Sequence, residues 1–539
     1  MLEEGGEAFR RGLKVVCVSV RTPHFLLSRM PAAAPLPAAA APPRTAMRAA
    51  AGPPLARHAW SKMAAFLTRG AARQSGAAGA RAAAAADAPP TPPPTASTST
   101  SAPSPAAPAP PPLPRGAYVH LPFCVRKCLY CDFAVTALGA RAAAAIAPLS
   151  AGALRGSARA PSRPPALDAY LSTLHAEIAA TAGPSPGDPP LTTLSFGGGT
   201  PSLIPPPDLA RLVDAVASKW GLAPGAEISM EADPGTFDAA RLRAYVADAG
   251  VTRLSIGVQS FEGDLLTVCG RSHDADDVAA AVEAIQAVGP PSWSLDLMSG
   301  LPGLTAAAWA RTLRAAIAAG PDHISVYDLQ VEDGTPFARL YSPGVAPLPS
   351  EGNAAGQYEA AGELLGAAGF ERYEVSNFAR SVAHRSAHNG LYWRGDEDWL
   401  AFGLGATSRL GGVRVARPRG VRAWEAWVEG LSAAGGVPGG GGGAVNPPSR
   451  ADLLTDIVML RLRTADGLDL AEVGARFGAG AAAAVARGLT PHAAGGRAAR
   501  VVGGGGAGDT WRLTDPAGFV VSNSIIADVF AELEGVDVV

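Results

Sequence analysis

Cysteine is scarce in this chain, with five among 539 residues. Two of them, Cys17 and Cys269, stand alone, so there is no disulfide framework, and a reducing compartment or organelle matrix fits better. Neither sign of charge is in excess: 45 Lys and Arg face 47 Asp and Glu, a formal net charge of -2. That balance argues against a nucleic-acid partner. Long apolar runs are missing too. VVCVSV (15–20) is too short to span a bilayer, and the later alanine runs are broken by Pro and Arg. No membrane span is expected.

Alanine, glycine and proline are what the chain has in plenty, much of it in low-complexity stretches. A soft prior of roughly 150 residues per domain suggests three or four units. Residues 1–112 read as a leader. From 31 to 112 seven basic residues (Arg44, Arg48, Arg57, Lys62, Arg69, Arg73, Arg81) meet one acid, Asp87, amid Ala, Ser and Pro. That is the composition of an organellar targeting peptide, for mitochondrion or plastid, with its amphipathic part from Met63. Glu3, Glu4 and Glu7 suit such a peptide poorly and read as an upstream extension. A cytoplasmic location is the alternative.

From residue 113 the texture changes. AYVHL (117–121), TTLSFGG (192–198), EISMEAD (227–233), RLSIGVQ (253–259), WSLDLMSG (293–300) and HISVYDL (323–329) read as strands. Amphipathic segments lie between them, four ending at a glycine, the usual C-terminal stop. This alternation predicts an α/β fold, a (β/α)6-type partial parallel barrel over 113–340, closed or nearly closed. A mixed α/β extension is expected at 341–434. A Gly-rich linker follows at 435–448, then a small winged-helix-like domain at 449–539, read as a lid or docking unit. In parallel barrels the site lies at the carboxyl ends of the strands. There the cysteine stretch follows the first strand, GGGTP the second, Glu231 ends the third, Gln259 ends the fourth and Asp296 lies on the fifth.

The remaining three cysteines stand together in HLPFCVRKCLYCDF as Cys124, Cys128 and Cys131, spaced C-x3-C-x2-C. A structural zinc site wants four ligands, and no second cysteine pair exists; His120 is a possible fourth. A zinc-stabilised interaction protein is therefore one reading. Thiolates at this spacing also hold iron–sulfur clusters, and three of them leave one iron of a [4Fe–4S] cube open for another ligand.

C-x3-C-x2-C after the first strand and GGGTP after the second resemble the radical S-adenosylmethionine (radical SAM) superfamily. YVHLPFCVRKCLYCDF, SFGGGTPSLI, EADP, RLSIGVQSF, DLMSGLPG and YEVSNFA follow in the order of its oxygen-independent coproporphyrinogen III oxidase group. Those oxidases carry a further cysteine two residues after the third. Phe133 stands there, and the CDF sequence is similar to the HemW-type haem chaperones, as is the HNxxYW motif at 388–393. Two departures stand out: Ala387 before the histidine, and TSRL after the GLGA segment.

The resemblance implies a [4Fe–4S] cluster on Cys124, Cys128 and Cys131, with S-adenosylmethionine on the open iron. It further implies haem or porphyrin as cargo, haem-acceptor proteins and an electron donor as partners, and coproporphyrinogen oxidation as the alternative activity. By the same resemblance, Tyr118 contacts the nucleotide and Glu231 accepts from the ribose hydroxyls. Arg271 pairs with the methionine carboxylate, and Gln259 and Asp296 complete the rim. Gly197, Gly198, Gly199 and Thr200 let a ligand approach the backbone. His388 is read as a loop histidine and a haem ligand. Cys269 is read as a small apolar residue.

Overall fold

The computed structural model describes residues 113–146, 163–433, 435–436, 447–502 and 509–538. The leader with its targeting expectation lies outside the described residues, as do most of the Gly-rich linker and the greater part of the insertion after the cysteines.

The six expected strands form: β1 (Pro114–Leu121), β2 (Leu191–Gly198), β3 (Leu222–Ala232), β4 (Arg253–Gln259), β5 (Ser292–Ser299) and β6 (His323–Asp328). They pair parallel in chain order. Besides a short helix at Ala140–Ile146, the helices between them are α1 (Pro165–Ala180), α2 (Pro206–Trp220), α3 (Ala239–Ala247), α4 (Gly263–Val268), α5 (Ala275–Val288) and α6 (Ala306–Ala319). Capping explains where several of them begin and end. Asp274 and Asp277 form a capping box at the start of α5, Thr305 caps α6, and Gly289 and Gly320 end these helices in the left-handed conformation.

Downstream lie α7 (Pro336–Leu340), α8 (Glu351–Ala367), β7 (Glu371–Arg372), β8 (Asn377–Ala379), α9 (Ala387–Arg394), β9 (Asp398–Phe402), β10 (Thr407–Leu410), β11 (Val413–Ala416) and α10 (Val421–Ala433). All five of these strands join the same sheet, whose order is β11-β10-β9-β1-β2-β3-β4-β5-β6-β8-β7. Two expectations are corrected by that order. A seventh parallel strand, β9, pairs with β1, so the parallel set does not end at residue 340. Nor is the barrel closed: short antiparallel strands finish both ends, and β7 and β11 do not pair. It is a partial barrel, as the sequence suggested.

Side chains alternate along each parallel strand. Val119, Phe196, Met230, Ile256, Leu295 and Ile324 point into one apolar core shared with the helices. The other face is polar and layered by register. Gly116, Thr193 and Glu227 form the row nearest the amino ends. Tyr118, Ser195, Ser229 and Arg253 form the next. Above it come His120 with Gly197, and Glu231 with Ser255. Parallel strands covered on both faces normally read as unbroken apolar runs. Strict alternation here marks an inner face built to meet something polar.

A buried ion pair holds the β9–β11 end to α1. Glu177 accepts from Arg417 Nε (2.9 Å), Trp424 Nε1 (2.9 Å) and Gly403 N (2.8 Å), and the Glu177 and Arg417 side chains are fully buried. Glu177→Ala strands that guanidinium in the core, a loss of about 3–5 kcal/mol. Denaturant unfolding measures it; a loss under about 1 kcal/mol would refute this role for the carboxylate.

The C-terminal unit is helical: α11 (Arg450–Arg461), α12 (Leu470–Phe477), α13 (Ala479–Ala494) and α14 (Ser522–Leu533). With β12 (Leu468–Asp469), β13 (Ala498–Val502) and β14 (Asp509–Leu513) in the antiparallel order β12-β14-β13, it has the winged-helix-like order expected. Helix α13, inside an alanine-rich stretch, and the strands β12 and β13 are the elements that sequence reading missed here. The unit shares its apolar core with Val375, Tyr392, Trp393 and Trp399 of the larger body.

Candidate functional site

The cysteine loop leaves the carboxyl end of β1 and is fastened on every side. Gly199 N donates to Leu121 O (2.9 Å) and Thr200 N to Phe123 O (2.7 Å), which ties the GGGTP turn to the loop's root. Leu129 N donates to Cys269 O (3.0 Å), and Phe337 N to Leu129 O (3.1 Å). Cys124, Cys128 and Cys131 are all half-buried and free of disulfides. Burial and the nearby Asp233 carboxylate push the Cys124 thiol up, partly offset by the Thr200 hydroxyl. Loading a metal on such a thiol releases its proton. Cys269 is fully buried with its thiol pushed up to about 12, the inert apolar residue expected.

The glycines let the protein's own backbone and side chains pack closely. A Cβ at Gly199 would stand 2.7 Å from Leu121 O and Phe123 O, and one at Gly198 would stand 2.3 Å from the His120 ring. At Gly197 the neighbours are Glu231 and Tyr118, both 3.0 Å away. The cysteine loop and the inner face come close to the chain at these three positions. Glu231 accepts from Gly198 N (3.1 Å). Asp296 accepts from Ser255 Oγ at 3.0 and 3.1 Å, one strand over.

In the structure Arg271 pairs with the carboxylate of Asp233, two residues beyond Glu231 and overlooked in the sequence. Nη2 donates to Asp233 Oδ1 (2.6 Å) and Gly257 O (2.6 Å). Nη1 reaches Tyr130 OH (3.3 Å) and Cys128 Sγ (3.5 Å). The side chain is only 7% exposed. Arg271 therefore braces the cysteine loop directly, and Thr200 Oγ1, 3.4 Å from Asp233 Oδ2, extends the brace towards Cys124.

Two orphan atoms face this brace. Gln259 is the one non-glycine residue with positive φ (66°) among the described residues, and its buried Oε1 has no hydrogen-bond partner. Backbone strain of this kind, of order 1–3 kcal/mol, persists where the surroundings enforce it, and it clusters at functional sites. Arg271 Nε is likewise buried without a partner among the described residues. An acceptor and a donor without partners beside three thiols fit a polar nucleotide next to a cluster.

They do not fit zinc. His120 Nε2 bonds Ala134 O (2.9 Å), which only accepts, so Nε2 carries the proton and Nδ1 (3.2 Å) accepts from Tyr118 OH. Both nitrogens are engaged, and burial holds the ring neutral, pushed down to about 4. Among the described residues no group of three or more His, Cys, Asp or Glu side chains is arranged to hold a metal ion. A cluster spreads its thiolates over separate irons and does not need them to meet at one point.

His388 is corrected on one count, its place in the fold. It lies in helix α9, not a loop, with Ser386 capping the helix through Asn389 N. It is also 1% exposed, at the amino end of the inner face, two rows below His120. Nδ1 bonds Thr193 Oγ1 (2.9 Å) and Nε2 bonds Tyr392 OH (2.8 Å). Burial pushes its pKa down to about 3.

Residues 118–316 match the Radical SAM superfamily, and residues 449–499 match the HemN C-terminal domain. The heme chaperone HemW of Synechocystis sp. is 38% identical over 362 residues, which is 67% of this chain and 81% of that protein. The chain belongs to the HemW family of radical SAM proteins. Another member, from Mycobacterium tuberculosis, is 36% identical over 70% of this chain and 89% of its own. The mitochondrial radical S-adenosyl methionine domain-containing protein 1 of Bos taurus is 32% identical over 65% and 73%. Among solved structures, the radical SAM coproporphyrinogen III oxidase HemN of Escherichia coli superposes with a TM-score of 0.59 at 22% identity, over 77% of this chain and 90% of HemN. That likeness shows the fold alone. Family membership implies a [4Fe–4S] cluster and S-adenosylmethionine as cofactors.

Proposed function

We propose that this chain is a haem chaperone that binds haem and hands it to acceptor proteins. The carrying observation is its identity to proteins named heme chaperone HemW over most of their length. Phe133, in the place where the oxidases have a fourth cysteine, supports the same reading.

In this proposal Cys124, Cys128 and Cys131 hold the cluster, which would supply single electrons to the nucleotide bound on its open iron. Arg271 and Asp233 keep Cys128 and the loop in place. Glu231, Asp296, Tyr118 and Gln259 meet the ribose and adenine, with Gly198, Gly199 and Thr200 shaping the wall. The haem reading does not use His388. An electron donor approaches from solvent, and no helix among the described residues is long and apolar enough to cross a membrane. We further propose that residues 1–112 direct the chain to an organelle. Their basic, acid-poor composition supports this, as does the mitochondrial name of the bovine relative.

The rival reading, oxygen-independent coproporphyrinogen III oxidase, is separated by one assay. Cluster-loaded protein, reduced and anaerobic with S-adenosylmethionine, is expected to leave coproporphyrinogen III unconverted and to bind about one haem per chain by Soret titration. Turnover to protoporphyrinogen IX would replace the chaperone reading with the oxidase.

A further inference from the structure

The HNxxYW segment forms the floor of the inner face. Its helix α9 is seated on the lowest row of that face. Ala387 N and His388 N donate to the Glu227 carboxylate at 3.1 and 3.0 Å. His388 Nδ1 bonds Thr193, and Gly116 is a glycine because a Cβ there would stand 2.3 Å from Leu391 and Thr193 Oγ1. All three residues of the row therefore meet this one helix.

The next row up begins with Tyr118, whose ring stacks on His388 at 6.5 Å between centroids and 29° between planes. The Tyr118 hydroxyl donates to His120 Nδ1 (3.2 Å), and His120 Nε2 donates to Ala134 O (2.9 Å). Ala134 lies three residues past Cys131. The same Tyr118 ring is 3.0 Å from the place a Cβ would take on Gly197, beside Glu231. A continuous path of contacts thus runs from the floor, through Tyr118 and His120, to the exit of the cysteine loop.

We propose that His388 is a positioning residue for the nucleotide site: it supports Tyr118 from below, and Tyr118 with His120 fixes the segment leaving the cysteine loop. Its two ring nitrogens serve Thr193 and Tyr392, which locks the ring plane that Tyr118 stacks on. The inference rests on the family's nucleotide cofactor and is independent of haem binding.

The test uses the full chain, reconstituted anaerobically, with three readouts: S-adenosylmethionine affinity by calorimetry, the change in the reduced cluster's electron paramagnetic resonance signal when the nucleotide is added, and haem stoichiometry by Soret titration. His388→Ala removes the support and should lower nucleotide affinity about tenfold, within the range of coupling between residues of one contact network. The nucleotide-induced spectral change should shrink with it, while haem stoichiometry stays at the wild-type value. His388→Asn retains a group for Thr193 and should recover most of the affinity, which separates positioning from simple loss of folding. Unchanged nucleotide affinity in His388→Ala overturns the proposal. Loss of affinity that His388→Asn does not repair overturns it as well. Loss of haem with nucleotide binding intact would instead make His388 part of a haem site. A wild-type chain that binds no haem removes the chaperone reading and leaves the nucleotide comparison valid.

Discussion

Alanine at Cys124, Cys128 or Cys131, one at a time, is expected to abolish the cluster. Reconstituted wild-type protein should carry about four irons and four sulfides per chain, with the broad visible absorption of thiolate-held iron. Each variant should fall to near zero, because three ligands leave none to spare. Cys269→Ala is the control: its thiol is fully buried in the apolar cluster beneath the loop, and its backbone carbonyl, which the substitution keeps, holds Leu129. Arg271→Ala should behave between these extremes. Its guanidinium reaches Cys128 Sγ and ties Asp233 to the loop, so cluster retention should drop along with nucleotide affinity. Iron analysis, sulfide analysis and electron paramagnetic resonance measure all of these. One equivalent of zinc with no sulfide in the wild type would overturn the cluster assignment altogether.

Mild acid is expected to destabilise the fold well before ordinary carboxylates titrate. Burial lowers five histidines: His120 and His273 to about 4, His388 to about 3, His323 well below its usual value, and His175 in the same direction. A group whose pKa is lower folded than unfolded binds its proton in the unfolded chain first. Its contribution to stability is whole above about pH 6.5 and is lost as the pH falls towards the folded value. Two buried carboxyls act in the opposite sense. Burial raises Asp328 to about 6 and Glu374 to about 8, so both favour the folded state as pH falls below those values. Between pH 6 and 5, His120, His273 and His388 against Asp328 and Glu374 leave a net of one proton, and His323 and His175 act in the same direction as the first three. At roughly 1.4 kcal/mol per group and pH unit, stability should drop by at least about 1.4 kcal/mol per unit. On the alkaline side, between about pH 6.5 and 8, Glu374 alone should give a shallow decline. Denaturant midpoints measured across pH 5–8 would show this asymmetric dome. A flat profile below pH 6.5 would mean that these imidazoles are not held neutral.

Much of this was legible in the sequence, and the reasons are local. The strand RLSIGVQ alternates so cleanly that its bounds, Arg253–Gln259, match the reading residue for residue. The glycines after α2, α5 and α6 marked real helix ends at Gly221, Gly289 and Gly320. What was missed depends on distant partners. DWLAF is a strand only because β1 is there to pair with it, and a three-residue strand such as NFA has no pattern of its own. The helix at HNGLYWR contains Asn and Gly, poor helix formers, and the signal for it was the Ser386 cap. Asp233 was within reach of reasoning. It follows Glu231 at the spacing that puts two side chains on one face of a strand, and EADP was already in view. That Arg271 would pair with Asp233 depended on the third dimension.

The alternation along β1–β6 also bears on which changes in chain length the protein tolerates. Core and cofactor surface are made by neighbouring residues of the same strands, so the two cannot be altered independently by insertion or deletion. Removing a single residue from Arg253–Gln259 would exchange the places of Leu254 and Ser255 and of Ile256 and Gly257. That would send a hydroxyl into the helix-covered core and an aliphatic chain against Glu231. A substitution on the outer face loosens the fold, and one on the inner face weakens the site. A frame change of one residue within a strand does both at once, which leaves the connections between strands as the places where this chain can grow.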